Sequence, residues 1–307
     1  MSADIVIAIL ITLIGASTPI LLAALGELVV EKSGVLNLGV EGMMLVGAVT
    51  AFAVTFHTGN PWLGILSAAL AAMASSMIFA FLSLSLSANQ VATGLALTIF
   101  GTGFSSLFGQ AYTGRPIEVF RSLFPPELAA HPVLRLVFGH SPLVYFSLIM
   151  VVAVWWFLTR SRAGLILRAV GENDLSAHSI GYSVIGIRYA AVAFGGAMAG
   201  IAGSCFPLLL TPQWAERLTA GRGWIALALV VFATWLPWRL AIGALLFGAV
   251  GILQFHAQAL GVRVPAQFLS ALPYLITIVV LVLISGNRML MRANTPAMLG
   301  QPFVPDR

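Results

Sequence analysis

The chain has 307 residues, of which 60% are hydrophobic and only 8% charged, with a mean hydropathy of +1.01. Soluble domains carry about 25% charged residues, so this composition excludes a water-facing globule and requires a bilayer around most of the surface. A net charge of +5 and a pI near 10.0 would suggest nucleic acid in a soluble protein; in a membrane chain the arginines anchor helix ends against headgroups, and no nucleic-acid partner is implied.

A bilayer core about 30 Å thick takes about 20 apolar residues per helical crossing. Runs of that kind predict spans over 4–28, 39–57, 61–86, 90–110, 141–159, 187–210, 222–236, 239–257 and 267–286, an all-α polytopic membrane bundle of eight to ten transmembrane helices. The opening MSADIVIAILITLIGAS has no basic residue ahead of its apolar run and reads as a retained first helix. Between the first two spans, GELVVEKSGVLNLGVEG reads as a loop or re-entrant element, with Glu27 and Glu31 flanking the first span and Glu41 opening the second. The seventh span is short and is expected to extend or break. The longest connection, 111–140, holds Pro116, Pro125, Pro126 and Pro132 and is too small for a catalytic domain. No linker divides the chain, so residues 1–307 form one transmembrane domain.

Loop arginine and lysine give the orientation. One side collects Lys32, Arg160, Arg162, Arg168, Arg188, Arg239, Arg288, Arg292 and Arg307; the other collects Arg115, Arg121, Arg135, Arg217, Arg222 and Arg263. The cluster between 160 and 188 places the 160–187 loop in the cytoplasm and the 111–140 loop outside. Gly196 and Gly200, with Ala199 and Gly203 in the same register, let helices approach closely, because lipid supplies no hydrophobic drive between them. Gly94, Gly101 and Gly109, and Gly243, Gly248 and Gly251, do the same in two other spans.

Several chemistries are excluded. Lys32, the only lysine, follows Glu31, whereas a P-loop places glycine before its Lys-Ser pair; any ATP must be bound by another subunit. Cys205 is the only cysteine, and five scattered histidines show no metal-ligand spacing, so no cofactor or metal is expected. Intramembrane carboxylates are few, which disfavours a proton- or sodium-coupled carrier without removing it as an alternative. A membrane-embedded enzyme is disfavoured because no His, Asp, Glu and Ser constellation converges on one face.

Two regions remain. In the 160–187 loop, Asn173 or Asp174 can cap a short helix over 175–180, and Gly181 can end it in the left-handed conformation. The knob so formed, with Gly171, Glu172, Asn173, Asp174, Ser176, Ala177, His178 and Gly181, suits docking into a partner's groove. For a permeation path, Asn37, Asn89, Gln90 and Thr93 offer amides and hydroxyls that can bind a polar neutral solute. Gln254, His256 and Gln258 form a second polar cluster. Phe100, Phe104 and Phe108 recur on one helix face, where they either stack with a ring or pack against helices and lipid.

The segment GELVVEKSGVLNLGVEGMMLVGA, the loop RAVGENDLSAHSIGYSVIGIRYAAVAFGGAMAGIAG, residues 221–248 and LPYLITIVVLVLIS resemble bacterial ABC importer permeases for nucleosides and simple sugars, within the branched-chain amino acid permease superfamily. The likeness spans about 26–286, with Asp174, Leu175 and His178 departing from the family's Pro-then-basic pattern after the Gly-Glu-Asn motif. The resemblance implies a type II importer-like bundle in the bacterial cytoplasmic membrane. It also implies ABC ATPase subunits docking on the loop around 171–181, a second permease subunit (identical or sister) and an extracytoplasmic solute-binding protein.

Overall fold

The computed structural model describes residues 3–120, 122–125, 127–128, 131–259, 268, 271–272, 275–279, 282 and 294–304. Most of the expected span over 267–286 and the side chains of Gln254, His256 and Gln258 lie outside the described residues, as do Arg121, Pro126, Arg263, Arg288, Arg292 and Arg307.

Helix α1 (Ala3–Lys32) has 30 residues, about 45 Å at 1.5 Å per residue, so it overruns the bilayer core. It continues one turn beyond the expected residue 28. Glu27 and Glu31 therefore stand inside the helix, 2% and 1% exposed, rather than flanking it. A short buried turn leads into α2 (Val40–Thr58), and Gly59 at φ 66° closes that helix in the left-handed region. Asn60 then starts α3 (Pro61–Ala80): its side chain accepts from the Trp62 and Leu63 amides, and Pro61 sits where no amide donor is needed. A π-turn, Phe81–Ser85, extends α3, and α4 (Gln90–Gly109) follows. The short α5 (Pro132–Phe138) and the long α6 (Pro142–Arg160) precede α7 (Arg162–Glu172) and α8 (Asp174–Ser179). Then come α9 (Val184–Cys205) with a π-turn at Phe206–Leu210, α10 (Arg222–Phe232) and α11 (Pro237–Ala259).

Six helices among the described residues are long and apolar enough to cross a membrane: Val6–Lys32, Val40–Thr58, Pro61–Ser85, Gln90–Tyr112, Pro142–Arg160 and Val184–Leu210. Arg222–Phe232 and, within α11, Pro237–Ile252 add two shorter apolar pieces. The expected seventh span breaks: at 11 residues, α10 covers about 16 Å, and Thr234 and Trp235 at φ 48° and 54° turn the chain into α11.

The centre of the bundle is α1, α2 and α9, where Leu22, Leu25, Leu28, Met43, Met44 and Ala199 are essentially sealed. The periphery is apolar too, with Ile99, Leu107, Ile149 and Val152 exposed, as expected where the surrounding solvent is lipid. Small residues let the inner helices touch through backbone. A Cβ on Gly47 would stand 2.6 Å from Gly200 Cα, and one on Gly200 would collide with the Ala68 carbonyl and lie 2.7 Å from Ala72 Cβ. The glycines and alanines of GGAMAGIAG thus form the seam of α9 with α2 and α3.

Two ends can be distinguished. At one, Lys32 Nζ donates to the Asn294 carbonyl (2.7 Å), and Arg188 joins α9 to α8 and to the 294–304 segment. This basic end unites Lys32 with Arg168 and Arg188 of the 160–188 cluster and with residues 294–304; Arg288, Arg292 and Arg307, which the charge count placed on the same side, lie outside the described residues. At the other, isolated bridges pair Thr113 with Trp214 and Pro116 with Gln213. From there residues 211–221 descend without regular structure to the start of α2, about 25 Å below its Thr58 end. Arg222, grouped by charge with the outer loops, is consequently drawn into the bundle, its guanidinium 5.1 Å from the Phe206 ring.

Candidate functional site

The knob at the basic end is built by local chemistry. Helix α7 turns one apolar face inward through Gly164, Leu167, Val170 and Gly171. Asn173 leaves the helix with extended backbone, and its Oδ1 accepts from the Ser176 amide at 2.8 Å, starting α8. The Gly181 amide donates to the His178 carbonyl (2.8 Å), and Gly181 at φ 95° ends the element. The expected cap and stop are both present, with the helix over Asp174–Ser179.

The eight residues singled out for docking divide by side. Gly171, Asp174 and Ala177 are buried and face the bundle, whereas Glu172, Asn173, Ser176, His178 and Gly181 are exposed together with Leu175, Ser179 and Ile180. Asp174 is fixed by an ion pair to Arg188 (3.1 Å), with both side chains almost wholly buried. Arg188 also donates to the Ser33 carbonyl through Nε and to the Gln301 carbonyl through Nη1, each at 3.2 Å. A buried guanidinium holds its charge where planar, paired acceptors surround it, and here three elements supply them.

Deeper in, three carboxylates organise the irregular backbone. Glu41 accepts from the Thr219 hydroxyl (2.5 Å) and the Gly221 amide (2.9 Å) through Oε1, and from the Gly223 amide (2.6 Å) through Oε2. A negative group therefore sits at the N-terminus of α10, where free amides and the helix dipole favour it. Glu31 accepts from Trp235 Nε1 (2.6 Å) and fixes the α10–α11 turn, while Glu27 accepts from the Asn37 amide (3.2 Å) and fixes the turn before α2. Irregular backbone at membrane depth is tolerated where protein satisfies it, and these acids do so. Glu27 and Glu31, four apart on one face of an apolar run, were the signal in the sequence; their partners lie too far along the chain to be inferred.

The four expected path residues do not converge on one polar surface. Asn37 Oδ1 accepts from the Gly39 amide (2.9 Å), and Gln90 Oε1 accepts from the Leu36 amide (2.8 Å), so both secure the same buried turn. Gln90 Nε2 is buried there without a partner among the described residues. Asn89 instead caps α4 through the Ala92 amide (3.0 Å), and Thr93 bonds back to the Asn89 carbonyl (2.8 Å). Thr93 also lines an apolar cavity of about 250 Å³ with Phe79, Leu97 and Phe100. Phe104 lies between Phe100 (5.9 Å) and Phe108 (4.5 Å) with the rings tilted against each other, and the outer two rings are about half exposed on the outside of α4. At the Thr58 end, Thr55, Phe56, Trp62, Ile117, Glu118 and Phe120 line a mixed polar and aromatic cavity of about 500 Å³. Among the described residues no group of three His, Cys, Asp or Glu side chains is placed to hold a metal ion.

A multi-pass helical bundle with an ordered knob at its basic end and irregular, carboxylate-held backbone inside has the build of a membrane transport subunit. The family model described as branched-chain amino acid transport system / permease component matches residues 9–284. The chain belongs to that family, whose members are transporter permeases, not enzymes, and it is a multi-pass membrane protein. It is 43% identical over 87% of its length, and 88% of the other's, to the "Putative glucose ABC transporter permease protein TsgC13" of Haloferax volcanii. It is 30% identical to the guanosine ABC transporter permease protein NupQ of Bacillus subtilis, over 94% of this chain and 93% of that one. With the nucleoside ABC transporter permease protein NupC of Lactococcus lactis it shares 29% identity over 91% and 92% of the two chains. No solved structure matches the chain.

Proposed function

We propose that the chain is the solute-conducting subunit of an ATP-driven importer for a nucleoside or a simple sugar, working by alternating access. The single observation that carries this reading is α8: a capped helix fixed from within by Asp174–Arg188 and presenting Leu175, Ser176, His178 and Ser179 outward beside Glu172 at the end of α7. Such a knob transmits a push from a docked ATPase subunit, since its inward residues tie it to α9 and to the α1–α2 turn. The basic end is then cytoplasmic. The Thr58 end, with its mixed cavity, faces an extracytoplasmic binding protein that delivers solute. A second permease subunit, identical or related, completes the pathway. In this arrangement Asn37, Asn89, Gln90 and Thr93 are candidate path residues, with the unpartnered Gln90 Nε2 the strongest of them. The relatives named for glucose and for nucleosides share one substrate chemistry, a hydroxylated sugar ring, which suits neutral hydrogen-bonding groups. A transport cycle also requires different solute affinity in its two states.

The test is purification of tagged chain from its native membranes with identification of associated subunits. Co-purification of a P-loop ATPase that is lost when 172–178 are scrambled, with ATP-dependent uptake of labelled guanosine or glucose in liposomes, is the expected result. Uptake by the isolated chain without ATP overturns it in favour of a secondary carrier.

A further inference from the structure

Helix α8 has six residues and buries only Asp174 and Ala177, which is too little to fix it alone. Its support comes from residues 294–304. The Asn294 carbonyl accepts from Lys32 Nζ (2.7 Å), the Met298 amide donates to the Gly171 carbonyl (2.9 Å), and the Gly300 amide donates to the Gly34 carbonyl (3.0 Å). The Gln301 carbonyl accepts from Arg188. Phe303, 8% exposed, closes a small apolar cluster with Val170, Ala177 and Val184, its ring 5.5 Å from that of His178. The segment thus touches α1, the α1–α2 turn, α7, α8 and α9 in eleven residues, and Arg188 of α9 meets the segment, α8 and the α1–α2 turn at once.

We propose that residues 294–304 are a strap that makes α8 move as one body with the transmembrane core, with Arg188 as the positioning residue that fastens strap, knob and α1–α2 turn together. The proposal rests on the reading of α8 as the ATPase-docking knob. Without the strap, an ATPase pushing on α8 would shift it against the bundle instead of rocking α1, α2 and α9, and hydrolysis would continue while transport fell.

Two measurements on the assembled transporter in proteoliposomes test this, using Phe303→Ala, Arg188→Gln, Arg188→Lys and the double variant Phe303→Ala/Arg188→Gln. The first is hydrogen exchange of the 174–180 amides. Exchange should quicken by about ten-fold in either single variant, the consequence of losing one buried polar or apolar anchor. The second is solute moved per ATP hydrolysed, expected to fall about ten-fold while ATPase binding and hydrolysis persist. The double variant should be no worse than the poorer single one, because both act on one strap. Arg188→Lys should recover part of the loss, since an ammonium reaches Asp174 but cannot also serve both carbonyls. Unchanged exchange at 174–180, an unchanged transport-to-ATP ratio, or multiplying effects in the double variant would each overturn the strap. If the wild-type chain binds no ATPase, the reading of α8 fails separately, and the exchange measurement alone still decides whether the strap holds it.

Discussion

The clearest quantitative expectation concerns Glu41. Three donors converge on its two oxygens, from Thr219, Gly221 and Gly223. In Glu41→Gln the remaining oxygen can keep Thr219 and Gly221, which turns the new NH₂ toward the Gly223 amide, donor facing donor. Loss of a charge-assisted hydrogen bond costs about 1.5–3 kcal/mol, and removing a negative charge from the N-terminus of α10 costs roughly another 0.5–1 kcal/mol. Together the substitution should destabilise by about 3 kcal/mol, a fall in apparent Tm of about 6 °C for a chain of this size. The assay is thermal unfolding of the purified protein in lipid nanodiscs, with Glu41→Asp as a shorter acid that keeps the charge and should fall between the two. Should Glu41→Gln unfold at the wild-type temperature while uptake is lost, the carboxylate would be acting on solute or protons and not as an anchor for 211–223.

Three further outcomes are expected. Gly200→Ala places a methyl against the Ala68 carbonyl and Ala72, and should lower stability by about 2 kcal/mol through overpacking, read as reduced monodisperse yield and Tm. Trp235→Phe removes the donor to Glu31 and strands a buried acceptor, at about 1–3 kcal/mol; limited proteolysis at the α10–α11 turn should quicken. His140 is held below its ordinary value by burial, partly offset by its bond to the Leu136 carbonyl. The unfolded chain therefore binds a proton there before the folded one does, so this residue's contribution is present above about pH 6.5 and is lost as pH falls toward the folded-state value. His140→Gln should flatten the dependence of Tm on pH in that window.

The parts legible in the sequence were those encoded over a few residues. Asn173 and Gly181 marked the start and stop of α8 because capping acts within three or four positions. The spans over 39–57, 61–86 and 90–110 followed from apolar runs of about the length a bilayer needs. What the sequence concealed was pairing across distance: Glu41 with Gly221 and Gly223, Glu31 with Trp235, and Arg188 with Asp174 and Gln301. Asn37 and Gln90 were ambiguous for a physical reason, since an amide that tethers a buried turn and one that binds solute are the same group. The acids at 27 and 31 were misplaced because a helix that overruns the bilayer keeps polar residues inside its last turns.

The brevity of α10 bears on how the protein is made. A helix of 11 residues, the first of them Arg222, is about half of what a translocon hands to lipid as an independent span, so α10 is too short to insert by itself. Its resting place is supplied by groups synthesised some 180 positions earlier, Glu41 above all. Residues 211–236 would then find their place only once α1 and α2 are in the membrane to receive them. Defects in the first two helices would then surface as failed insertion of a segment far downstream.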